Sequence, residues 1–207
     1  MLVPDRLSAE KLRGALGDCT IGREIIVLKQ TTSTNDVVLQ MANGGAPEGL
    51  VVFAEHQSAG RGQRGNIWES AAGKGLWFSV LLRPKAAIND PVQLAQRTAQ
   101  IVTTTIQGTF HLPATVKLPN DIYIGNRKVA GVLVEMRAQA KAPHLAVLGI
   151  GVNVNQMPHD FSEDLRERAT SLAIARRGPI DRSAFAIALL RNLDLLYRAD
   201  SLGAPAR

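Results

Sequence analysis

The chain has 207 residues, of which 45% are hydrophobic and 20% charged, with a formal net charge of +6 and a pI near 9.9. These values are typical of a folded globular protein, and we expect residues 1–207 to form a single domain. Cys19 is the only cysteine, which excludes an internal disulfide and a cysteine-rich zinc site. The sequence has no run of apolar residues long enough to span a bilayer and no signal-peptide pattern at its start, so it predicts a cytoplasmic protein without a membrane partner. The positive charge alone fits nucleic acid, an acidic protein or an anionic small ligand.

Hydrophobic periodicity and capping residues predict four helices. They cover residues 8–16, 34–41, 91–107 and 184–197, with residues 182–183 at the start of the last one. Ser33 is expected to cap the second helix, together with Asp36 in a capping-box-like pair. Asp90 and Pro91 are expected to begin the third helix, and Gly108 to stop it.

Seven strands alternate with these helices. They are predicted at residues 25–29, 50–55, 76–82, 115–118, 121–124, 128–136 and 145–152. Gly125 and Asn126 form the turn of a tight hairpin, and hairpins favour a mixed or antiparallel sheet over a doubly wound parallel one. The predicted fold class is therefore α+β, with helices packed on a mixed, largely antiparallel sheet.

The most informative segment is residues 55–68, which we call the glycine-arginine loop. Within nine residues it carries three glycines, Arg61, Arg64 and Trp68. Glycines let backbone amides approach a ligand, arginines bind phosphate or carboxylate through two parallel bonds, and tryptophan offers a flat face to a ring. The spacing matches neither a P-loop nor a Rossmann fingerprint. The segment predicts an anion-binding and nucleotide-binding loop, with a plain surface loop as the alternative.

Two further segments carry polar side chains around the predicted hairpin. Pro119 is expected to break a strand, so that Asn120 and Asp121 turn inward, where their oxygens suit magnesium or orient a lysine. Lys128 follows the hairpin next to the small residues Ala130 and Gly131. A turn-forming Asp121 and a solvated Lys128 are the alternatives.

The last two polar segments lie near the ends of predicted strands. Gly149 and Gly151 interrupt an apolar strand, which indicates close approach by a ligand or by backbone. Asn153 after them can donate to and accept from an adenine edge, or it can serve a plain turn. The hydroxyls of residues 31–35 either cap a helix or face a small polar ligand.

These blocks, taken in order, resemble the biotin protein ligases from about residue 20 to residue 155. The blocks are Ser33-Thr34-Asn35, Gln57 with Gly60-Arg61-Gly62-x-Arg64-Gly65-x-x-Trp68, Lys117-x-Pro119-Asn120-Asp121, Lys128-x-Ala130-Gly131 and Gly149-x-Gly151-x-Asn153. The resemblance implies the catalytic fold that these ligases share with class II aminoacyl-tRNA synthetases. It also implies a ligase that condenses biotin with ATP to biotinyl-AMP in the presence of Mg²⁺. The biotinyl group then passes to a lysine of the biotin carboxyl carrier domain of acetyl-CoA carboxylase.

The resemblance also assigns roles to residues. Lys128 is implied to bridge the biotin carboxylate and the α-phosphate, and Asp121 and Arg61 are the other implied catalytic residues. The implied biotin-binding residues are Ser33, Thr34, Gln57, Gly60, Arg61, Lys128 and Gly131. The implied ATP-binding residues are Arg61, Arg64, Trp68, Lys117, Asn120 and Asn153, and Asn120 and Asp121 are the implied magnesium ligands.

Four residues depart from the family pattern. Gln63, Asn66 and Ile67 stand where basic residues are common, and Leu118 stands where tryptophan is usual. Because neutral amides make weaker bonds to anions than guanidinium groups do, we expect weaker retention of nucleotide or biotinyl-AMP than is usual.

The chain ends also differ from those of many bacterial members. Few residues follow the last predicted helix, where a small β-barrel domain is common, and about twenty precede the first strand. We expect no winged helix-turn-helix and hence no nucleic-acid partner. Two alternatives stay open: a lipoate or octanoate ligase-like enzyme, and a degenerate paralogue that binds biotin or adenylate without transfer. Exposed sheet edges make a homodimer possible.

Overall fold

The computed structural model describes residues 6–84, 90–137 and 144–201, and it shows a seven-stranded sheet with helices on both faces. Residues 1–5 and 202–207, on which the expectations about the chain ends partly rest, lie outside the described residues. The strands are β1 (Glu24–Leu28), β2 (Leu50–Ala54), β3 (Leu76–Leu82), β4 (Ala114–Lys117), β5 (Asp121–Ile124), β6 (Arg127–Arg137) and β7 (Leu145–Val152). The helices are α1 (Ala9–Leu16), α2 (Thr34–Asn43), α3 (Pro91–Phe110), α4 (Glu163–Arg166), α5 (Leu172–Arg176) and α6 (Arg182–Ser201), with 3₁₀ turns at Gln63–Gly65 and Pro158–Asp160.

The sheet has the order β1-β2-β3-β7-β6-β5-β4. Strands β1 and β2 are parallel, because helix α2 connects them, and every other pair is antiparallel. The Gly125-Asn126 turn joins β5 to β6, with Gly125 at φ 57°, as predicted. The α+β class with a mixed, largely antiparallel sheet is thus confirmed.

Side-chain alternation divides the strands between two apolar layers. Phe53, Phe78 and Val80 face the main core, which α1, α3 and α6 cover. Their neighbours Val52 and Leu81 face the opposite side and pack with Val38 of α2. The two faces arise because successive residues of a strand point to opposite sides. On its side of the sheet, α2 contacts β2, β3 and β7 and covers only part of the surface. The uncovered part of that face holds the candidate site.

Helix ends confirm some predictions and correct others. Ser8 and Asp90 accept backbone N–H bonds at the starts of α1 and α3, and α6 begins at Arg182. Gly108 does not stop α3, which continues to Phe110 and ends at His111 in the left-handed conformation. No side-chain bond from Ser33 caps α2, so the predicted capping-box pair is wrong.

Helices α4 and α5 were not predicted. They have four and five residues, too few to show a helical period. Within the described residues, no helix is long and apolar enough to cross a membrane.

Candidate active site

A pocket of about 320 Å³ opens on the part of the sheet that α2 leaves uncovered. Gly149 and Gly151 of β7 and Gly131 of β6 contribute to its lining. A Cβ atom at Gly149 would lie 2.4 Å from Oδ1 of Asn35, and one at Gly151 would lie 2.6 Å from the Trp68 ring. A ligand or backbone was the predicted neighbour of these glycines, but in the structure two side chains of the chain itself make the close approach, and larger residues would displace both.

A β-bulge places Lys128 on the pocket side of the sheet. The register pairs Asp121 with Gly131 but Tyr123 with Lys128, because one extra residue of β6 shifts the pairing. In a regular ladder Lys128 would oppose Ile124 and face away from Asp121. With the bulge, Nζ of Lys128 lies 2.7 Å from Oδ1 of Asp121. The same Nζ lies 5.3 Å from the centre of the Trp68 ring, within range of a cation–π contact.

Thr34 and Gln57 form a polar wall of the pocket. Oε1 of Gln57 accepts from the backbone N–H of Thr34 at 2.8 Å and from its hydroxyl at 3.1 Å. Since Oε1 is occupied, the Gln57 amide group has its two N–H donors left for a ligand, and Gln57 lines the pocket. Ser33, next to Thr34, also lines the pocket.

A chain of polar contacts continues from Thr34 beneath α2. The Thr34 hydroxyl lies 2.7 Å from that of Ser79, which donates to Oδ1 of Asn35 at 2.5 Å. Nδ2 of Asn35 in turn donates to Oε2 of Glu135 at 2.6 Å. This buried polar chain fixes the first turn of α2 relative to β3 and β6.

The glycine-arginine loop is fixed where it leaves and rejoins the body of the protein. The Ser70 hydroxyl accepts from the N–H of Gln57 at 2.7 Å and donates to its carbonyl at 2.8 Å. Further along, the N–H of Trp68 donates to the carbonyl of Gly60 at 2.8 Å. A Cβ atom at Gly60 would lie 2.5 Å from the Trp68 carbonyl oxygen, so the loop needs glycine there.

Arg61 points toward helix α2 and makes a two-point ion pair. Its Nη1 and Nη2 atoms donate to Oδ2 and Oδ1 of Asp36, each at 2.7 Å, and Nη2 lies 3.4 Å from Oε2 of Glu135. The hydrogen bond from Arg61 lowers the pKa of Asp36 below its ordinary value, and the bond to Asp36 raises the pKa of Arg61. Two carboxylates therefore already neutralise the guanidinium group that was expected to meet phosphate.

Most of the predicted site residues are gathered around this one pocket. The predicted residues that line it are Ser33, Thr34, Gln57, Arg61, Arg64, Trp68, Lys117, Asn120, Asp121, Lys128 and Gly131. Gly60 lies beside the pocket, where it packs on Trp68. The four departures also line it, and Ile67 and Leu118 are 82% and 70% exposed.

Asn153, a predicted ATP-binding residue, lies outside the pocket lining. Its Nδ2 atom donates to the carbonyl of Thr170 at 3.0 Å, and its Oδ1 atom accepts from Gln156 at 2.9 Å. Its side chain is buried and does not line the pocket. An adenine contact at Asn153 stays a prediction that needs these two bonds to be exchanged.

Asp121 and Asn120 meet the needs of magnesium only in part. The part of the chain that the structure describes holds no group of three or more histidine, cysteine or acidic side chains suited to a metal ion. Asn120 donates its amide N–H to the carbonyl of Val132 at 2.7 Å. One carboxylate fits Mg²⁺ when phosphate oxygens and water complete its shell, as is usual for nucleotide-bound magnesium.

Sequence reasoning gave four residues of this site no role in the pocket. Asn35 was quoted in a motif, Asp36 was assigned to capping, and Ser79 and Glu135 were passed over as strand residues. Their partners lie 25 to 100 residues away along the chain, so local spacing carries no signal for them. The usable clue was Gly149, since its missing side chain makes room for Asn35.

The architecture and the pocket define a class of protein, namely one with a polar pocket that has a glycine floor and a lysine–aspartate pair beside it. Residues 27–153 match the Biotin/lipoate A/B protein ligase family, and the chain belongs to this family.

Relatives and solved structures agree with this assignment. The chain is 36% identical to the bifunctional ligase/repressor BirA of Bacillus subtilis, over 94% of this chain and 60% of that protein. It is 34% identical to the biotin–[acetyl-CoA-carboxylase] ligase of Mycobacterium tuberculosis, over 92% of this chain and 72% of that one. Among solved structures, it is similar to the biotin protein ligase of Aquifex aeolicus in complex with biotin and ATP, with a TM-score of 0.74 and 30% identity over 86% of this chain and 71% of that chain. The chain thus spans about 60% of the length of its Bacillus relatives.

Proposed function

We propose that this chain is the catalytic part of a biotin protein ligase, which condenses biotin with ATP to biotinyl-AMP and transfers biotin to a carrier lysine. The observation that supports this most is the Lys128–Asp121 pair, which lies in the same pocket as the polar side chains of Gln57 and Thr34. Polar hydrogen-bonding groups at one wall suit the ureido ring of biotin. A lysine at another wall suits its carboxylate.

In the first step, a carboxylate oxygen of biotin attacks the α-phosphorus of ATP, and pyrophosphate leaves. The two reactants are both anions, so cations must offset their repulsion and the charge that builds up in the transition state. Lys128 is placed to lie between the carboxylate and the α-phosphate. Arg64 and Lys117 line the pocket, and within the described residues neither makes an ion pair with a carboxylate. These two side chains are available for phosphate, with Mg²⁺ near Asp121 supplying further positive charge when bound.

In the second step, the amine of the carrier lysine attacks the acyl carbon of biotinyl-AMP, and AMP leaves. The lysine ammonium first gives a proton to solvent, and the Asp121 carboxylate at the pocket wall is placed to orient the resulting amine. Trp68 covers the glycine floor next to Lys128 and limits the access of water to the mixed anhydride.

The partner in this proposal is an acidic biotin carboxyl carrier domain of acetyl-CoA carboxylase. Arg64 and Lys117 at the pocket give an acidic protein a favourable surface. A cytoplasmic location belongs to the same proposal, because the reaction consumes ATP. A homodimer would use the edge strands β1 and β4, whose outer sides have no neighbour in the sheet.

The decisive assay incubates the protein with Mg²⁺ATP, an apo carrier domain, and either radiolabelled biotin or radiolabelled lipoate. Label from biotin on the carrier supports the ligase, and label from lipoate alone would replace it with a lipoate ligase. Formation of labelled adenylate without transfer would identify the paralogue that binds but does not transfer. Absence of both products would contradict the proposed function.

The lysine at the centre of the proposal gives a sharper test. Lys128→Ala should reduce biotinyl-AMP formation by at least about 100-fold, since it removes a charge placed where charge builds up in the transition state. Lys11→Ala, on the exposed surface of α1, is the matched control and should leave the rate unchanged. Adenylate formation is measured by thin-layer chromatography of labelled product. A Lys128→Ala protein with normal adenylate formation would refute the assignment.

A further inference from the structure

The two-point ion pair between Asp36 and Arg61 joins two parts of the pocket that are distant in sequence. Asp36 lies in the first turn of α2, and Arg61 lies in the middle of the glycine-arginine loop. Both contacts of 2.7 Å are in the fork geometry that makes arginine–carboxylate pairs strongest. Glu135 of β6 lies 3.4 Å from the same guanidinium group.

The contact between Arg61 and Glu135 closes a ring of polar contacts around the ligand-facing wall. From Gln57 the contacts run through Thr34, Ser79 and Asn35 to Glu135. Glu135 reaches Arg61, which is four residues after Gln57 on the same loop. Both the start and the middle of the loop are therefore held against α2 and β6. In the part of the chain that the structure describes, no hydrogen bond uses the backbone N–H of Gly60 or Arg61, and Arg61 lines the pocket, where its amide is open to a ligand.

We propose that Asp36 is a positioning residue for biotin binding, which acts through Arg61 to hold residues 60–68 against α2 and so keep the loop amides and Gln57 in place. The inference rests on the proposed function, since it concerns the same pocket. It reassigns Arg61 from a phosphate ligand to the loop's attachment point. Glu135 supports the guanidinium group from the other side.

An acidic residue in the first turn of a helix also stabilises that helix through its dipole, and this effect must be separated from positioning. Glu10 provides the match, because it is the acidic residue in the first turn of α1 and lies away from the pocket. Asp36→Asn and Glu10→Gln each remove one first-turn charge while keeping the size of the side chain. Only the first also removes the ion pair to Arg61.

Limited trypsin digestion measures the position of the loop without any assay of activity. Trypsin cleaves after arginine, and Arg61 and Arg64 both lie in the loop. The Asp36→Asn protein should be cut after Arg64 about three- to fivefold faster than wild type. This ratio is the size expected when the loop loses the stabilisation of one exposed ion pair of good geometry. Glu10→Gln should be cut at the wild-type rate, and mass spectrometry identifies the site.

Calorimetry with biotin and steady-state kinetics measure the consequence for binding. Asp36→Asn should raise the Kd for biotin, and its half-saturating concentration, by about three- to fivefold while kcat stays within twofold. A purely structural loss would lower kcat as well. Asp36→Glu, which keeps the carboxylate, should recover part of the affinity.

An Arg61→Gln background tests whether Asp36 acts through Arg61. In that background, Asp36→Asn should change neither cleavage after Arg64 nor biotin affinity, because the partner is already missing. An equal effect of Asp36→Asn in both backgrounds would overturn the inference. Asp36→Asn alone would also overturn it if it kept the wild-type cleavage rate and biotin affinity, or if it bound biotin more tightly. If wild type itself neither binds biotin nor forms the adenylate, the proposed function falls and biotin positioning falls with it. Loop cleavage then still reports whether the ion pair holds the loop.

Discussion

At the scale of single residues, the wall formed by the glycine-arginine loop holds few positive charges. Gln63 and Arg64 belong to a 3₁₀ turn in which Arg64 adopts φ 57°, and Asn66 follows it. All three line the pocket, yet only Arg64 is a cation. With Arg61 already paired to Asp36, the loop offers one guanidinium group to a phosphate. The structure thus gives a geometric basis to the weak retention expected from the sequence.

Restoring charge at these positions should slow the escape of the intermediate. We expect the Gln63→Arg, Asn66→Arg protein to release biotinyl-AMP about fivefold to tenfold more slowly, because a charged hydrogen bond is worth roughly 1 kcal/mol more than a neutral one. Release is measured by trapping labelled adenylate after dilution into unlabelled substrate. Gln93→Arg, Gln100→Arg on the exposed surface of α3 adds the same charge elsewhere and serves as the control. Equal release rates from all three proteins would count against the hypothesis.

At the scale of elements, the loop and α2 act as one unit. Ser70 holds the loop at Gln57, and Asp36 holds it at Arg61. The bulge in β6 similarly couples a strand irregularity to the position of Lys128. In each case a contact between segments that are distant in sequence fixes the position of a side chain, which the local sequence does not determine.

The ion pair between loop and helix should give a defined pH dependence. The bond from Arg61 lowers the pKa of Asp36, so its stabilising effect is present above the pKa of an unfolded aspartate and is lost as the pH falls through the lower folded value. The raised pKa of Arg61 keeps that partner charged throughout. We expect the difference in melting temperature between wild type and Asp36→Asn to be constant from pH 7 to about pH 5 and to shrink once the pH falls below the ordinary aspartate pKa of about 3.9. Thermal melts across this range check it, and a difference that vanishes between pH 7 and pH 5 would show that another group titrates.

At the scale of the whole molecule, the sequence was sufficient to predict the regular secondary structure. Seven strands and four long helices follow from apolar periodicity, since a strand such as β3 is buried along its full length. The order of strands in the sheet and the bulge before Lys128 did not follow, because both depend on pairing between distant segments. The site was predicted through its motifs, whereas Glu135 and Ser79 were missed because they read as ordinary strand residues.

One buried ion pair ties the end of β2 to α6 and to the start of the chain. Arg182, fully buried at the start of α6, donates to Oε2 of Glu55 at 2.7 Å and to the carbonyl of Gly75 at 3.0 Å. Oε1 of Glu55 also accepts from the N–H of Leu7 at 3.0 Å. Glu55 is the first residue of the glycine-arginine loop, so this pair fixes the base of the loop to the body of the protein.

Removing one charge of this pair should destabilise the whole fold. Glu55→Gln removes the buried carboxylate charge that accepts from Arg182 and Leu7, and we expect it to lower the free energy of unfolding by about 3 kcal/mol. Glu167→Gln removes the acid of the exposed Arg127–Glu167 pair, whose acidic side chain is 86% exposed, and it should change stability little. Urea unfolding followed by circular dichroism measures both differences. Equal stability of the two variants would mean that the buried pair contributes no more than a surface contact. If Glu55→Gln lowers the free energy of unfolding strongly and Glu167→Gln does not, then the contact that holds the base of the loop also stabilises the whole fold.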